Sequence, residues 1–194
     1  MITAAANKPR FARKIALKVA EDLRRMLASP CERIEYAGSL RRGKATVGDV
    51  EIIYVPKIER LRNPGDMFEW IDVNLTDQAL LVMERAGILS RRLNTLGRET
   101  YGPKNKLMIH CPSGLPVDFF ATTEDNWANC LTHRTGPADL IVRICQEAQR
   151  RGLKYDPYGP GFINLETGAI LKVISEQEVF DIVGMPFEEP EHRI

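Results

Sequence analysis

The strongest pattern of apolar and polar positions lies near the start of the chain. Phe11, Ile15, Val19, Leu23 and Leu27 recur at every fourth position, and this spacing places them on one stripe of an α-helix. The Lys and Arg residues between them lie off that stripe. The pattern predicts a helix over residues 10–28 that buries its apolar face and ends at a Ser-Pro pair.

Short apolar segments separated by turn residues predict β-strands further along the chain. The segment that follows Pro56 is interpreted as a polar connection, because it contains Asn63-Pro64-Gly65. A Gly/Pro/Lys-rich hairpin is expected over residues 97–105. The predicted strands cover residues 33–37, 50–55, 88–96, 106–111 and 115–120.

Helix signals become dominant after residue 122. One helix, capped by Thr76, is expected before that residue, over residues 77–86. Three more helices are expected after it: one over residues 126–130, one over residues 138–151 and a last one near the end of the chain. That helix begins at Ser175, which forms a capping box with Glu178. With one short hairpin over residues 162–173, the pattern predicts an α+β fold with domains spanning 1–122 and 123–194.

Three carboxylates lie in or beside apolar strands. Asp49 and Glu51 are two residues apart at the start of one strand, so their side chains point the same way. Asp118 stands between Val117 and Phe119, where an unpaired charge is costly. If the two strands are neighbours, the three carboxylates face one site, and a divalent cation would relieve their repulsion.

A turn of small residues precedes these carboxylates. Gly38-Ser39 is followed by Arg41 and Arg42, and the backbone N–H groups of such a turn can face an anion. A nucleoside triphosphate requires both an anion cradle and ligands for divalent metal ions. We therefore expect metal-dependent nucleotidyl transfer.

Net charge and cysteine content exclude only a few classes of protein. The net charge is +1, but residues 1–48 carry a net +7 and residues 171–194 a net −4. This split fits a basic surface for a polyanion as well as it fits ordinary solvated helix faces. The four cysteines show no CxxC spacing, which argues against a zinc ribbon or a disulfide framework. Without a membrane-length apolar run or a signal peptide, we expect a soluble cytoplasmic protein.

Together these motifs resemble the palm and thumb of family X DNA polymerases, the polymerase-beta-like branch of the nucleotidyltransferase superfamily. The resemblance implies a palm with a mixed sheet and helices on one face, and a small helical and β thumb. Because 37 residues precede the Gly-Ser turn, the lyase and fingers domains of other members are expected to be absent, as in a few small viral members. The matching segments are residues 38–43, 48–51, 117–118, 135–137 and 175–180, continuing through Gly184, Pro190 and Arg193.

The resemblance implies catalysis with two divalent metal ions, Mg²⁺ or in its place Mn²⁺. Asp49 and Glu51 would bind both ions and Asp118 one of them. The expected activity is templated DNA synthesis at a primer 3′-hydroxyl in short-gap repair, by a monomer whose partners are DNA and a nucleoside triphosphate. Arg42 would clamp the phosphates, and Arg41 would serve structure. The residues implied in nucleotide binding are Gly38, Ser39, Arg42, Gly48, His133, Arg134, Thr135 and Gly136.

Three positions depart from the family pattern. His133-Arg134 stands where members commonly have Tyr-Phe, which leaves the choice between deoxy- and ribonucleotides open. Pro116 stands where many members have an arginine near the primer phosphate, and Glu51 replaces the more usual Asp. Two alternatives therefore stay open: a template-independent nucleotidyltransferase and a catalytically silent nucleic-acid-binding module.

The predicted hairpin also carries a candidate DNA contact. Its basic and aromatic side chains either hold template phosphates or form an ordinary solvated hairpin. The residues concerned are Arg98, Tyr101, Lys104 and Lys106.

Overall fold

Most predicted elements are present in the computed structural model, which describes residues 9–193. The strands are β1 (Phe11–Ala12), β2 (Cys31–Tyr36), β3 (Thr46–Val47), β4 (Val50–Pro56), β5 (Ile58–Asn63), β6 (Asp66–Asn74), β7 (Leu89–Arg91), β8 (Asn105–His110), β9 (Leu115–Ala121), β10 (Leu153–Tyr155), β11 (Gly161–Asn164) and β12 (Ile170–Lys172). The α-helices are α1 (Arg13–Met26), α2 (Gly38–Arg41), α3 (Leu75–Arg85), α4 (Trp127–Thr135), α5 (Ala138–Arg150) and α6 (Glu176–Ile182). Short 3-10 helices cover Glu124–Asn126 and Pro190–His192.

A five-stranded mixed sheet forms the centre of the amino-terminal part. Its strand order is β2-β4-β9-β8-β7, and β4 and β9 are parallel while the other pairs are antiparallel. In the β4–β9 pair, Glu51 lies opposite Asp118 and Ile52 opposite Phe119. Register partners share a face of the sheet, so this pairing decides which side chains meet.

The two faces of the sheet are covered by different helices. On one face, α1 and α3 pack apolar side chains against Ile52, Tyr54 and Phe119. On the other face, which also carries Glu51 and Asp118, α4 packs Trp127 and Leu131 against Phe120 and its neighbours. The α+β fold is confirmed, and the carboxylates lie on the face that α4 covers.

The carboxy-terminal part has an apolar core of its own. It is built from α5, α6 and the antiparallel sheet β10-β11-β12. The predicted hairpin over residues 162–173 is the β11–β12 pair of this sheet. The side chains at its centre are fully buried: Leu140, Ile144, Phe162, Val179 and Phe180.

The polar connection predicted after Pro56 is wrong, because this segment forms the β5–β6 hairpin. Arg62 lies opposite Trp70 in the hairpin register, and its guanidinium stacks over the indole at 4.6 Å from the ring centroid. Phe68 is 86% exposed. Charged and apolar residues are mixed here without regular alternation, and most of the described side chains are exposed, so the segment lacks the one-sided apolar pattern of a half-buried strand.

Several predicted helix and strand ends also differ. The N-cap of α3 is Asn74, whose side chain accepts a hydrogen bond from Asp77 N at 3.0 Å, and not Thr76. Thr76 is buried and donates to the Pro30 carbonyl instead. The predicted strand over residues 88–96 is confined to β7, and α1 starts at Arg13 because the two preceding residues pair with β3.

The capping role of Ser175 is confirmed, since its Oγ accepts a hydrogen bond from Glu178 N at 3.2 Å. Within residues 9–193, no helix has the length and apolar character needed to span a membrane.

Substituting the α3 cap tests this assignment. Asn74→Ala should lower the free energy of unfolding by about 1 kcal/mol, because it removes the acceptor for an orphan helix N–H group. Urea denaturation followed by circular dichroism measures the effect. Gln78→Ala, at an exposed position of the same helix, is the control and should change stability little. Equal stability of the two variants would contradict the assignment.

Candidate active site

Glu51 and Asp118 lie side by side on adjacent parallel strands. They are register partners in the β4–β9 pair and therefore point to the same face. Asp49 lies just before β4, which begins at Val50 as predicted. The condition for a shared site, that the two strands are neighbours, is met.

The electrostatics of Glu51 show that the three carboxylates act on one another. Burial, followed by the negative charges of Asp49 and Asp118, raises the Glu51 pKa to about 7. The positive charges of Arg134 and Arg42 oppose this shift. An excess of negative charge is thus gathered at the start of β4, and a bound cation would relieve it.

The site does not hold its carboxylates in a ready-made metal cage. Among the described residues, 9–193, no group of three possible ligands is arranged to hold one ion. The donor set still fits Mg²⁺ or Mn²⁺ in its chemistry, because all three groups are carboxylates and the charge around Glu51 favours a cation. In this structure the positive charge beside Asp118 comes from an arginine.

That arginine is Arg92, which the sequence pattern did not predict as a site residue. Its Nη2 donates to Asp118 Oδ1 at 2.6 Å and to Oδ2 at 2.8 Å. Arg92 N bonds the carbonyl of Leu107, and Leu107 is itself the register partner of Asp118. Arg92 therefore reaches across one strand to the carboxylate. Arg92 follows β7, the edge strand on the far side of β8.

The Gly-Ser turn is a short helix that abuts the carboxylate strand. Gly38 has a φ of +61°, and a Cβ at this position would overlap the carboxylate of Glu51. Ala37 N also donates to the Glu51 carbonyl at 2.8 Å. Ser39 follows at the start of α2, and Gly48 lies in the bend before Asp49. The predicted phosphate turn and the predicted metal ligands are thus in contact.

The two arginines of this turn connect it to α4. Arg41 donates to Thr135 Oγ1 at 2.7 Å and to Glu176 Oε1 at 2.6 Å. Arg42 donates to the Thr135 carbonyl. On the far side, the fully buried Arg193 donates to Glu176 Oε2 at 2.7 Å. Arg41 therefore has the structural contacts expected of it, and Thr135 positions both arginines.

A cleft beside Glu51 brings together five predicted residues. It has a volume of about 460 Å³, and its apolar floor comes from the first turns of α5. Burial, followed by the charge of Arg134, lowers the pKa of His133, which favours a neutral imidazole in this cleft. The predicted residues that line the cleft are Arg42, Glu51, His133, Arg134 and Gly136.

Arg134 forms the wall of this cleft nearest the sheet. Its guanidinium stacks over the ring of Phe120 at 3.6 Å from the centroid. Its charge lowers the pKa of Glu51, so the guanidinium is close enough to be felt by that carboxylate. The residue that departs from the family pattern is therefore held in place by the sheet.

The predicted DNA-binding patch is not a continuous surface. Lys106 is 1% exposed, and its ammonium is held by Asp77 at 2.9 Å and by the Gly102 carbonyl at 3.0 Å. Tyr101 is half-buried beneath Arg91. The proposal that Lys106 contacts template phosphates is wrong, because its charge is already neutralised inside the fold. Of the four residues, Arg98 and Lys104 are exposed.

Comparison with known proteins shows what this chain is similar to. Residues 130–194 match the DNA polymerase beta thumb domain. The chain is 27% identical over 186 residues to the DNA polymerase/3′–5′ exonuclease PolX of Bacillus subtilis (strain 168), and 23% identical over 176 residues to DNA polymerase lambda of Rattus norvegicus. It spans 28% of the length of each of these curated relatives.

The fold is similar to that of a solved polymerase. It matches the Leishmania infantum polymerase beta structure, a ternary P/T complex, with a TM-score of 0.72 and 18% identity, covering 96% of this chain and 77% of that chain. The chain is therefore similar to family X DNA polymerases in its fold and in the sequence of its carboxy-terminal part. The resemblance predicted from the sequence motifs is confirmed.

Because Gly38 contacts Glu51, adding one methyl group at this position should lower the stability of the fold. Gly38→Ala should be more destabilising than Gly43→Ala by about 1–3 kcal/mol, because only the first methyl overlaps a packed side chain. Both glycines have positive φ, so Gly43→Ala controls for backbone strain. Chemical denaturation measures the difference. A smaller effect at Gly38 than at Gly43 would contradict the contact.

Glu176 is predicted to be essential for the connection between α2 and the carboxy-terminal part. Glu176→Gln should lower the free energy of unfolding by about 3 kcal/mol, because it leaves Arg41 and the buried Arg193 without their shared carboxylate. Glu166→Gln, at an exposed position, is the matched control. A loss no greater than that of the control would show that the connection contributes little to stability.

Proposed function

We propose that the chain is a DNA-directed DNA polymerase that adds nucleotides to a primer 3′-hydroxyl. The observation that carries the proposal is the pairing of Glu51 with Asp118 beside a cleft lined by cations. In this proposal residues 1–122 form the palm and residues 123–194 the thumb. The relatives are named as DNA polymerases, but the chain spans only part of their length.

The proposed metal ligands are Asp49, Glu51 and Asp118, with Mg²⁺ or Mn²⁺ as the ion. A bound pair of ions would neutralise charge on the attacking and leaving oxygens. Arg92 donates to both oxygens of Asp118, so a bound ion would either share this carboxylate with Arg92 or displace it. Arg92 therefore keeps Asp118 compensated in the absence of substrate.

The proposed triphosphate site lies between α2 and the cleft. Gly38 and Ser39 would present backbone and hydroxyl donors, and Gly48 would allow close approach of the chain. Arg42 is the proposed phosphate clamp, and its guanidinium is already oriented by the Thr135 carbonyl. Fixing a cation before substrate arrives reduces the ordering that binding requires.

The proposed sugar and base contacts lie at the end of α4. His133 and Arg134 line the cleft, and Gly136 ends the helix with a φ of +61°. A neutral His133 would offer one donor and one acceptor to the incoming nucleotide. We propose gapped duplex DNA as the partner and short-gap repair as the setting, with the chain acting as a monomer.

Primer extension tests the proposal. The purified chain should incorporate deoxynucleotides at a gap in the presence of Mg²⁺ or Mn²⁺, and Asp118→Asn should reduce the rate by at least about a hundredfold. Asp125→Asn removes an exposed carboxylate that pairs with Lys172 outside the site, so it serves as control. Parallel reactions with ribonucleotides measure sugar selection.

The DNA substrates separate the rival functions. Extension of gapped and open templates that follows the template sequence supports a polymerase. Addition that ignores the template on every substrate would replace it with a template-independent nucleotidyltransferase. If wild type and Asp118→Asn both bind DNA and neither incorporates a nucleotide with either metal, the chain is a silent binding module.

A further inference from the structure

A second cavity shares Arg134 with the proposed nucleotide cleft. It has a volume of about 260 Å³ and lies where the end of β9, the hairpin before β8 and the start of α4 meet. None of the proposed catalytic roles uses it. Its lining includes Lys104, Phe120, Asn126, Arg134 and Tyr158.

The walls of this cavity are fixed by backbone hydrogen bonds. Ala121 N donates to the Lys104 carbonyl at 2.9 Å, which fastens the hairpin to the end of β9. Thr122 N donates to the Tyr54 carbonyl at 2.8 Å on the neighbouring strand. The cavity is therefore an extension of the central sheet, and a ligand would not have to order its walls.

The charge of the cavity lining is entirely positive. Lys104 and Arg134 both line it, and none of the other described lining residues is acidic. The stacking of Arg134 on Phe120 holds the guanidinium at the wall. Such a lining favours an anionic group, and a phosphate of a nucleic-acid strand supplies one.

Two uncharged side chains of the cavity, Tyr158 and Asn126, favour a ligand that carries a nucleobase as well as a phosphate. Tyr158 is 59% exposed at the cavity mouth, and its backbone N donates to Asp156 Oδ1 at 3.1 Å, which fixes the turn that carries the ring. Asn126 lines the cavity, and its Oδ1 is buried without a hydrogen-bond partner among the described residues. An aromatic ring and an amide are groups that recognise a nucleobase by stacking and hydrogen bonding.

We propose that this cavity binds one unpaired nucleotide of a nucleic-acid strand. Its phosphate would lie between Lys104 and Arg134, and its base would stack on Tyr158. An inorganic anion would leave Tyr158 and Asn126 unused, whereas an apolar ligand would bury the two cations without partners. The inference rests on the proposed function, because a strand in this cavity would pass beside the cleft at their common wall, Arg134.

A direct binding experiment tests the site without catalysis. A single-stranded trinucleotide with 2-aminopurine at its centre is titrated with the full chain, without metal ion or nucleoside triphosphate. Stacking quenches the 2-aminopurine emission, and a salt series gives the number of phosphate contacts. The variants are Tyr158→Leu and Lys104→Met, and the control is Lys154→Met, which removes the same charge from an exposed position on β10.

Each variant should change a different quantity. Tyr158→Leu should weaken binding about tenfold and abolish the quenching, with an unchanged salt dependence. Lys104→Met should lower the slope of log affinity against log salt by about one. Lys154→Met should match wild type. Wild-type behaviour of both Tyr158→Leu and Lys104→Met would overturn the proposal.

Competition and incorporation assays distinguish a nucleotide site from a simple anion site and from the catalytic cleft. A deoxynucleoside monophosphate should displace the trinucleotide at far lower concentration than inorganic phosphate, and equal competition by the two would overturn the nucleotide assignment. If the variants change binding as expected but the wild type incorporates nothing at a gap, the nucleotide-binding cavity is supported and the polymerase proposal fails. If the wild type incorporates nucleotides and the variants bind the trinucleotide like wild type, the polymerase proposal is supported and the cavity proposal fails.

Discussion

Repulsion among closely placed carboxylates, of which Asp118 is buried, is the constraint on which the rest of this site depends. The parallel pairing of β4 and β9 forces Glu51 and Asp118 onto neighbouring positions, and Asp49 adds a third charge. A fold keeps such a group only if cations surround it. Arg92 approaches from the sheet, while Arg42 and Arg134 approach from α2 and α4. Arg134, which lines both cavities, is thus held beside this negative centre.

Thr135 connects the two halves of the chain at this centre. Its hydroxyl and its carbonyl each accept from a different arginine of the Gly-Ser turn, so one residue of α4 sets the direction of both guanidinium groups. Glu176 and Arg193 extend the connection to the end of the described chain. A movement of α4 would therefore change the position of the proposed phosphate clamp and of Arg134 together.

The sequence predicted the fold and the shared face of Glu51 and Asp118, because apolar runs and alternating strand positions follow simple periods. It could not predict Arg92, since a single arginine at a strand end shows no pattern and its partner lies two strands away. The error at Lys106 was avoidable. Lys106 is two residues before the buried Met108, and strand alternation therefore turns it inward. The β5–β6 hairpin was missed because neither of its faces is buried.

The two ends of the β5–β6 hairpin lie close together. Leu75 N donates to the Lys57 carbonyl at 3.0 Å, and Lys57 N donates to the Pro30 carbonyl at 3.0 Å, so both ends are anchored beside β2. Neither β5 nor β6 belongs to the five-stranded sheet. This segment can therefore be lengthened, shortened or exchanged without moving β4 or β9, and it is a natural insertion point for a reporter or an affinity module.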